Sequence, residues 1–379
     1  MRVVFVTHHY PRWPGDFSGA ALGALARALV RRGITVRVIT LSAESDDKVQ
    51  LDGVMIQRVR IHRRLSHTLS DQDGFATRLG SPLRWGMLLR LWRGLRTAVR
   101  REVAAGADLV HAHWWIPSGL AAPSGVPLVI TVEGADAALL RISRVARALA
   151  GPLLRRAAVV TAVSRPVGES IQNLAGRFVG AEHIHPMPID SRGHLWTRGG
   201  AGAVLMGRLD AAHRVELALE TVAVLASYGH DLPLTIIGDG PARGALQRRA
   251  QRLGVSALVR FLGAMPSDQA RGYLAKADLM LYTGRGQGTA VAAHEALIAG
   301  VPVVACWDSG APVDVVPESG AGRLSLPSAE AIADSVLSLQ ADHDRLAASR
   351  LVGEAWRTRL APDHVAQVCE GWYRDALTR

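Results

Sequence analysis

Short apolar runs rich in β-branched residues alternate along this chain with longer stretches in which apolar residues recur at helical spacing. The strand-like runs of the first half are Val3 to Thr7, Thr35 to Thr40, Val54 to Val59, Leu109 to His111, Leu128 to Val132 and Val159 to Val163. Those of the second half are Val204 to Gly207, Leu234 to Ile237, Val259 to Leu262, Leu279 to Tyr282 and Val303 to Ala305. Strand and helix in alternation predict parallel sheets with helices on both faces, so an α/β architecture of two doubly wound halves follows. Between them, the Pro- and Gly-rich segment HPMPIDSRGHLWTRGGAG breaks the pattern and sets the domain boundary near Ser191 to Gly202.

The length of 379 residues suits two domains of ordinary size, and 49% hydrophobic residues allow a sizeable core. No run of about 18 uninterrupted apolar residues occurs, and the chain enters its first strand without a secretory apolar region. The expectation is a cytoplasmic enzyme. Cys306 and Cys369 are far apart and lack metal-ligand spacing, which predicts reduced thiols and no metal site. The formal charge of +11 is carried by arginine, Lys48 and Lys276 being the only lysines. A basic balance favours anionic partners such as nucleotide sugars, acidic lipid headgroups or nucleic acid. Nucleic acid is disfavoured, because no zinc-finger spacing, RRM-like aromatic motif or basic arm accompanies the charge.

From Leu83 to Arg101, Leu88, Leu91, Trp92, Leu95 and Val99 share a helical face, with Arg90, Arg93, Arg96, Arg100 and Arg101 largely elsewhere. Such a helix either docks on an anionic bilayer at the inner face of the membrane or packs its apolar face on the sheet.

The richest chemistry lies in LYTGRGQGTAVAAHEALIAGVPVVA, Leu281 to Ala305, which reads as strand, glycine-rich loop, helix and buried strand. Glycines including Gly288 let backbone approach a ligand, and the amides of Thr289 and Ala290 at the helix start suit a diphosphate. Glu295 is a lone carboxylate among apolar residues, where an unpaired charge is costly, so it requires a partner.

This segment resembles the donor-site signature of the retaining glycosyltransferases of family 4, which have the two-domain GT-B fold. Glu295, Ala296, Gly300, Pro302, Val303 and Val304 match the pattern, while Gln287 stands where the family has its first glutamate and Thr289 where it has phenylalanine. The resemblance implies two Rossmann-like domains facing a central cleft: residues 1–190 on the acceptor side, 191–360 binding the nucleotide sugar, and a helix over about 361–379 returning to the first domain. Pro186 and Asp190 match the segment at which family members cross between domains.

Other segments carry the resemblance further. AVLMGRLDAAHRVELALE is similar to the Gly-Arg-Leu-x-x-x-Lys-Gly motif that clamps the diphosphate: Gly207, Arg208 and Leu209 match, His213 replaces the lysine and Arg214 the second glycine. A guanidinium fork fits phosphate oxygens and offsets the charge that grows on the leaving group. LTIIGDGP, with Gly238, and the Arg260-Phe261 stretch resemble the border of the nucleotide site. Near the N-terminus, Gly19 matches the second glycine of a pair that lies against the donor, and Ser18 replaces the first or simply caps a helix. In VITVEGADAALL the family's His-Gly-x-Asp becomes Glu133, Gly134 and Asp136; a carboxylate accepts sugar hydroxyls or pairs with an ammonium but cannot donate. His111, His113 and Trp114, at a strand end on the acceptor side, either touch the acceptor or sit satisfied in the core.

The resemblance thus implies transfer of a sugar from a nucleotide-diphosphate sugar, UDP foremost, to an acceptor hydroxyl on a glycolipid, polysaccharide or secondary metabolite, without a metal or resident cofactor. The implied catalytic set is Arg208, His213, Glu133 and Gln287. The alternative is a catalytically idle or repurposed GT-B protein that binds nucleotide beside an active partner or joins non-sugar groups.

Overall fold

The computed structural model describes residues 1–13, 16, 19–42, 47–60, 82–189, 195–196, 200–286 and 289–379. Gln287, Gly288, Ser18 and Asp190 therefore lie outside the described residues, as does the side chain of Leu88. The chain divides into two units, Met1–Asp190 with Leu360–Arg379, and Ser191–Arg359.

In the first unit the sheet is built from β1 (Arg2–Val6), β2 (Thr35–Ser42), β3 (Lys48–Leu51), β4 (Val54–Arg60), β5 (Leu109–His113), β6 (Leu128–Val132) and β7 (Val159–Ala162). Their order is β3-β4-β2-β1-β5-β6-β7, and every pair is parallel except β3 with β4. β1, β5, β6 and β7 are buried along nearly their whole length, which is why they appear in sequence as unbroken apolar runs. The edge strand β3 reads KVQL, with no buried residue, and so gives no apolar signal.

Each face of this sheet has its own apolar layer. On one side α2 (Pro82–Ala104) buries Leu91, Leu95, Ala98 and Val99 against β1, β2 and β4. The basic segment thus uses its apolar face inside the fold, and the Trp92 indole donates to the Leu120 carbonyl at 2.9 Å. The same layer holds α3 (Ala135–Ile142), α4 (Arg144–Arg156) and α5 (Arg165–Ala175).

On the other face, α1 (Ala20–Arg31) packs beside the last helix of the chain, Pro362–Thr378, whose Val365, Ala366, Cys369, Trp372, Tyr373 and Ala376 are buried with Leu25, Leu29 and Phe5. Arg31 pairs with Asp363 at 2.7 Å, and Arg32 with Glu370.

The second unit has the order β10-β9-β8-β11-β12-β13, all parallel, with β8 at Ala203–Met206, β9 at Leu234–Ile237, β10 at Val259–Gly263, β11 at Leu279–Tyr282, β12 at Val303–Cys306 and β13 at Gly322–Ser325. Its helices are α6 (Val215–Ser227), α7 (Arg243–Arg252), α8 (Ser267–Leu274), α9 (Val291–Ala299), α10 (Pro312–Ser319), α11 (Ala329–Gln340) and α12 (His343–Leu360); the chain then closes with α13 (Pro362–Thr378). Cys306 and Cys369 are free, buried thiols. No described helix is long and apolar enough to cross a membrane.

Two strand ends in this unit touch backbone to backbone. Gly238, at φ 142°, lies so close to Gly207 that a Cβ built on it would be 1.8 Å from the Gly207 carbonyl oxygen. The contact is locked by hydrogen bonds from Gly207 N to Ile237 O at 3.0 Å and from Gly238 N to Gly263 O at 2.9 Å. Substituting Gly238→Ala forces these ends apart and is expected to cost at least about 3 kcal/mol, measured as a shift in the denaturation of the second unit.

Candidate functional site

Polar side chains in both units gather where parallel strands end at their C-terminal edge, the edge at which ligands bind open α/β sheets. In the first unit β1 runs into Thr7, His8 and His9, β5 into Trp114, and β6 into Glu133 and Gly134. Gly19, at φ 72°, caps α1 directly against this edge: a Cβ there would be 2.8 Å from the Tyr10 Cα. The resemblance placed Gly19 against a ligand for the same reason of close approach, and here the close approach is to the chain itself.

Glu133 is the organised carboxylate of this edge. His113 Nδ1–H donates to its Oε1 at 3.0 Å and the Trp114 indole N–H to its Oε2 at 3.1 Å, leaving the side chain 21% exposed. Trp114 holds φ 74°, unusual for a residue with a Cβ and worth about 1–3 kcal/mol of strain, and its ring lies 4.0 Å from that of His8. His8 is held well below the ordinary imidazole pKa by burial first and by His9 and His113 next. His113 Nε2 and His8 Nδ1 are buried without a hydrogen-bond partner among the described residues.

Two residues nominated from the sequence turn inward. His111 is fully buried, with Nδ1 2.9 Å from the Tyr373 hydroxyl and Nε2 2.7 Å from Thr131 Oγ1, which is itself 2.7 Å from Thr161 Oγ1. Both nitrogens are occupied, so it is a core histidine joining the sheet to α13 and has no free edge for an acceptor. Asp136 is also fully buried. Its Oδ1 accepts the amides of Glu133, Gly134 and Ala137 at 3.0, 3.1 and 3.2 Å, and its Oδ2 accepts that of Trp115 at 3.1 Å. Burial first and the Glu133 charge next push its carboxyl up to about 7, against the pull of these amides. Asp136 therefore shapes the loop that presents Glu133 and does not itself face a ligand.

In the second unit, Gly207 and Arg208 follow β8. A Cβ on Gly207 would meet the His213 ring at 2.8 Å, so glycine is what lets His213 fold back over the strand end. Arg208 is 48% exposed and its Nε lies 3.2 Å from Asp210 Oδ2, while His213 Nδ1–H donates to Asp210 Oδ1 at 2.7 Å. Asp210 thus fixes both side chains. Burial works to raise its pKa, but the His213 hydrogen bond, the His213 charge and Arg208 outweigh it and bring it below the ordinary carboxylate value.

Arg214, the second cation expected at the diphosphate, is committed elsewhere. Its Nη1 and Nη2 donate to Asp308 Oδ2 and Oδ1 at 2.9 and 2.6 Å, and its Nε donates to the Thr283 carbonyl at 2.7 Å. A bidentate partner plus a carbonyl engages all three nitrogens of the guanidinium. Arg214 thereby staples the turn after β8 to the ends of β11 and β12, helped by Thr283 Oγ1 donating to the His213 carbonyl at 2.9 Å and Arg285 N to Ala212 O at 2.8 Å.

α9 begins after Thr289 and Ala290, the latter at φ 41°, so its first amides lack helical partners. Glu295, one turn inside, has the partner that its setting demands: Arg271 Nε of α8 lies 3.5 Å from its Oε1, and the side chain is 12% exposed. Burial is the main cause that pushes the Glu295 carboxyl up to about 7, with Arg271 opposing and Asp268 adding to it. Phe261, in the β10 ladder, packs against the apolar layer of the unit, and its carbonyl accepts from Arg243 Nη2 at 3.3 Å. Among the described residues no cluster of three or more His, Cys, Asp or Glu could hold a metal ion.

Asp210, Asp308, Arg271 and His8 escaped the sequence reading. Asp210 alone carried a local signal, lying two positions beyond Arg208; the others become partners only through the fold.

Comparison with known proteins gives a family. A model described as "Glycosyl transferase 4-like domain" matches residues 18–190, and one described as "Glycosyl transferases group 1" matches residues 201–342. A GDP-mannose-dependent alpha-(1-6)-phosphatidylinositol monomannoside mannosyltransferase of Mycolicibacterium smegmatis is 29% identical over 217 residues, 52% of this chain and 57% of that enzyme, so the match spans little more than half of the relative's length. The 2-deoxystreptamine glucosyltransferase of Streptomyces kanamyceticus is 24% identical over 364 residues, 88% of this chain and 92% of that enzyme. Among solved structures, sucrose-phosphate synthase from Thermosynechococcus elongatus superposes with a TM-score of 0.77 at 16% identity, covering 100% of this chain and 99% of that one. Anabaena Alr3699/HepE, solved in complex with UDP and glucose, gives 0.69 at 17% identity, covering 99% of both chains. These likenesses show the fold.

The raised pKa of Glu295 has a pH signature. Between about 4.5 and about 7 the folded chain keeps a proton that the unfolded chain releases, so this group makes stability fall as pH rises through that window and leaves it flat above. Glu295→Gln removes the titration. Its stability relative to the parent should increase by on the order of 3 kcal/mol from pH 4.5 to pH 7, followed by urea denaturation at several pH values.

Proposed function

The chain belongs to the family 4 glycosyltransferases of the GT-B fold, and we propose that it moves a sugar from a nucleoside-diphosphate sugar to an acceptor hydroxyl with retention at the anomeric carbon. The observation that carries this reading is the contrast between its two candidate cations. Arg208 is half exposed at the end of β8, positioned by Asp210, whereas Arg214 is 18% exposed and held by Asp308 and the Thr283 carbonyl. One guanidinium is set to meet a diphosphate and the other to hold the turn that presents it.

In the proposed reaction the bond between the anomeric carbon and the diphosphate oxygen breaks and the acceptor oxygen bonds to that carbon on the same face. The acceptor's proton passes to the departing phosphate. No enzymic nucleophile and no metal enters the scheme; positioning and charge stabilisation carry it. Arg208 offsets the charge that builds on the leaving group. His213, its Nδ1 fixed on Asp210, stands beside Gly207 in place of the family's lysine. The amides of Thr289 and Ala290 and the start of α9 add the dipole of a helix N-terminus. Gln287 would contact the transferred sugar. The donor base we assign is uracil, in line with the UDP held by the Alr3699/HepE neighbour. The idle alternative is not favoured, since the relatives named above are transferases.

Glu133 bears on the substrate. Its carboxylate is held by a Trp N–H and a His N–H, and among the described residues no Arg or Lys pairs with it. A fixed, partly exposed anion beside the acceptor region suits an amine-bearing sugar or cyclitol, the chemistry named for the 2-deoxystreptamine relative.

Two measurements test this reading. Arg208→Ala should lower kcat/KM for transfer from a UDP-sugar by about 10²-fold or more, and unchanged turnover at subsaturating donor would refute the phosphate role. Glu133→Gln should lower kcat/KM for 2-deoxystreptamine as acceptor by at least about tenfold while changing that for myo-inositol, which has no amine, by less than about threefold.

A further inference from the structure

The basic segment that the sequence offered as a bilayer contact lies with its apolar face inside the first unit, but a different helix there leaves apolar side chains outside. α4 starts after the extended Ser143, whose Oγ accepts the Ala146 amide at 3.1 Å. Its inner face, Ala146, Ala150, Leu153 and Leu154, is already buried. Outward, one turn apart, stand Val145 and Leu149 at 59% and 46% exposure, followed by the exposed Pro152, and Ile142 just ahead of the cap is 65% exposed. A helix that has filled its share of the core and still exposes a row of large apolar side chains presents a contact surface.

The charges around the row select the partner. Arg141, Arg144 and Arg155 flank it, exposed, and among the described residues none of the three makes an ion pair. Arg147 and Arg156 add positive charge while their guanidinium groups donate to the carbonyls of Leu140 and of Pro123 and Ala122. From Ala137 to Gly168 the chain contains no acidic residue. A second copy of this chain would bring two such arginine-flanked faces together in a symmetric contact, with like charges opposed.

We propose that this face docks on an anionic lipid bilayer. Ile142, Val145 and Leu149 enter the boundary between headgroups and acyl chains, and Arg141, Arg144 and Arg155 lie among the acidic headgroups. The net charge of +11 adds long-range attraction to the same surface. The helix lies in the plane of the interface and crosses nothing, consistent with the absence of a membrane-spanning helix among the described residues.

Vesicle sedimentation without donor or acceptor tests the proposal independently of the transfer reaction. The intact chain should sediment with phosphatidylcholine vesicles containing roughly one third phosphatidylglycerol and stay in solution with phosphatidylcholine alone. Val145→Glu with Leu149→Glu should lower the bound fraction at least about tenfold, with an unchanged melting profile as the control for folding. The triple variant Arg141→Gln, Arg144→Gln, Arg155→Gln touches no buried face and should lose binding by a similar factor, so it decides the matter if the first variant is unstable. Failure of the parent chain to bind the anionic vesicles, or binding unaltered in a folded variant, overturns the proposal. So does self-association in the absence of lipid that Val145→Glu with Leu149→Glu abolishes, because the row would then belong to a second copy.

Discussion

Every side chain with chemical potential here depends on how a parallel strand is allowed to stop. At a strand end the ladder no longer supplies hydrogen bonds, so the backbone must find other partners or be costly to bury. The two units solve this with buried or half-buried carboxylates. Asp136 collects four amides behind β6, and Asp308 takes both arms of Arg214, whose Nε donates to the Thr283 carbonyl beyond β11. With the backbone satisfied in this way, the neighbouring side chains Glu133, Arg208 and His213 are left to face outward. In the first unit the fully buried carboxylate, Asp136, is the one that builds the platform.

The same logic separates residues of identical type. Arg208 and Arg214 are six positions apart, yet one ends half exposed and the other 18% exposed in a bidentate pair. His111 and His113 lie on one strand with a single residue between them, yet both point inward from β5, and only His113 reaches a group at the rim. Strand alternation puts both on the same face, both are buried, and distance from the strand end decides which one reaches Glu133.

Much of the fold was legible because its strands are covered on both faces and therefore appear as plain apolar runs. The two strands that the sequence did not reveal are the sheet edges β3 and β13, whose four residues each mix polar and apolar side chains. In the site, the resemblance picked out Arg208, His213 and Glu295 because glycines around them mark close backbone approach. It could not foresee that Arg214 would be consumed, because Asp308 is 94 residues away in sequence and nothing local announces it. Arg271 as partner of Glu295 was hidden for the same reason, although the need for a partner was evident from the apolar setting. The arginine-rich helix α2 showed the limit of periodicity: an apolar face tells that something covers it, and here the sheet does.

The docking of α13 has a consequence for the order of events during synthesis. This helix of 17 residues brings Tyr373 to His111 and buries Trp372 and Cys369 in the layer shared with α1, so the first unit lacks one wall until α13 is available. The second unit, Ser191–Arg359, is complete before that point. On the ribosome the N-terminal half is therefore the last to close, and until the final helix emerges it exposes the apolar underside of β5, β6 and β7. Loss of the last turns of α13 would remove part of a wall from a domain whose other residues were made first.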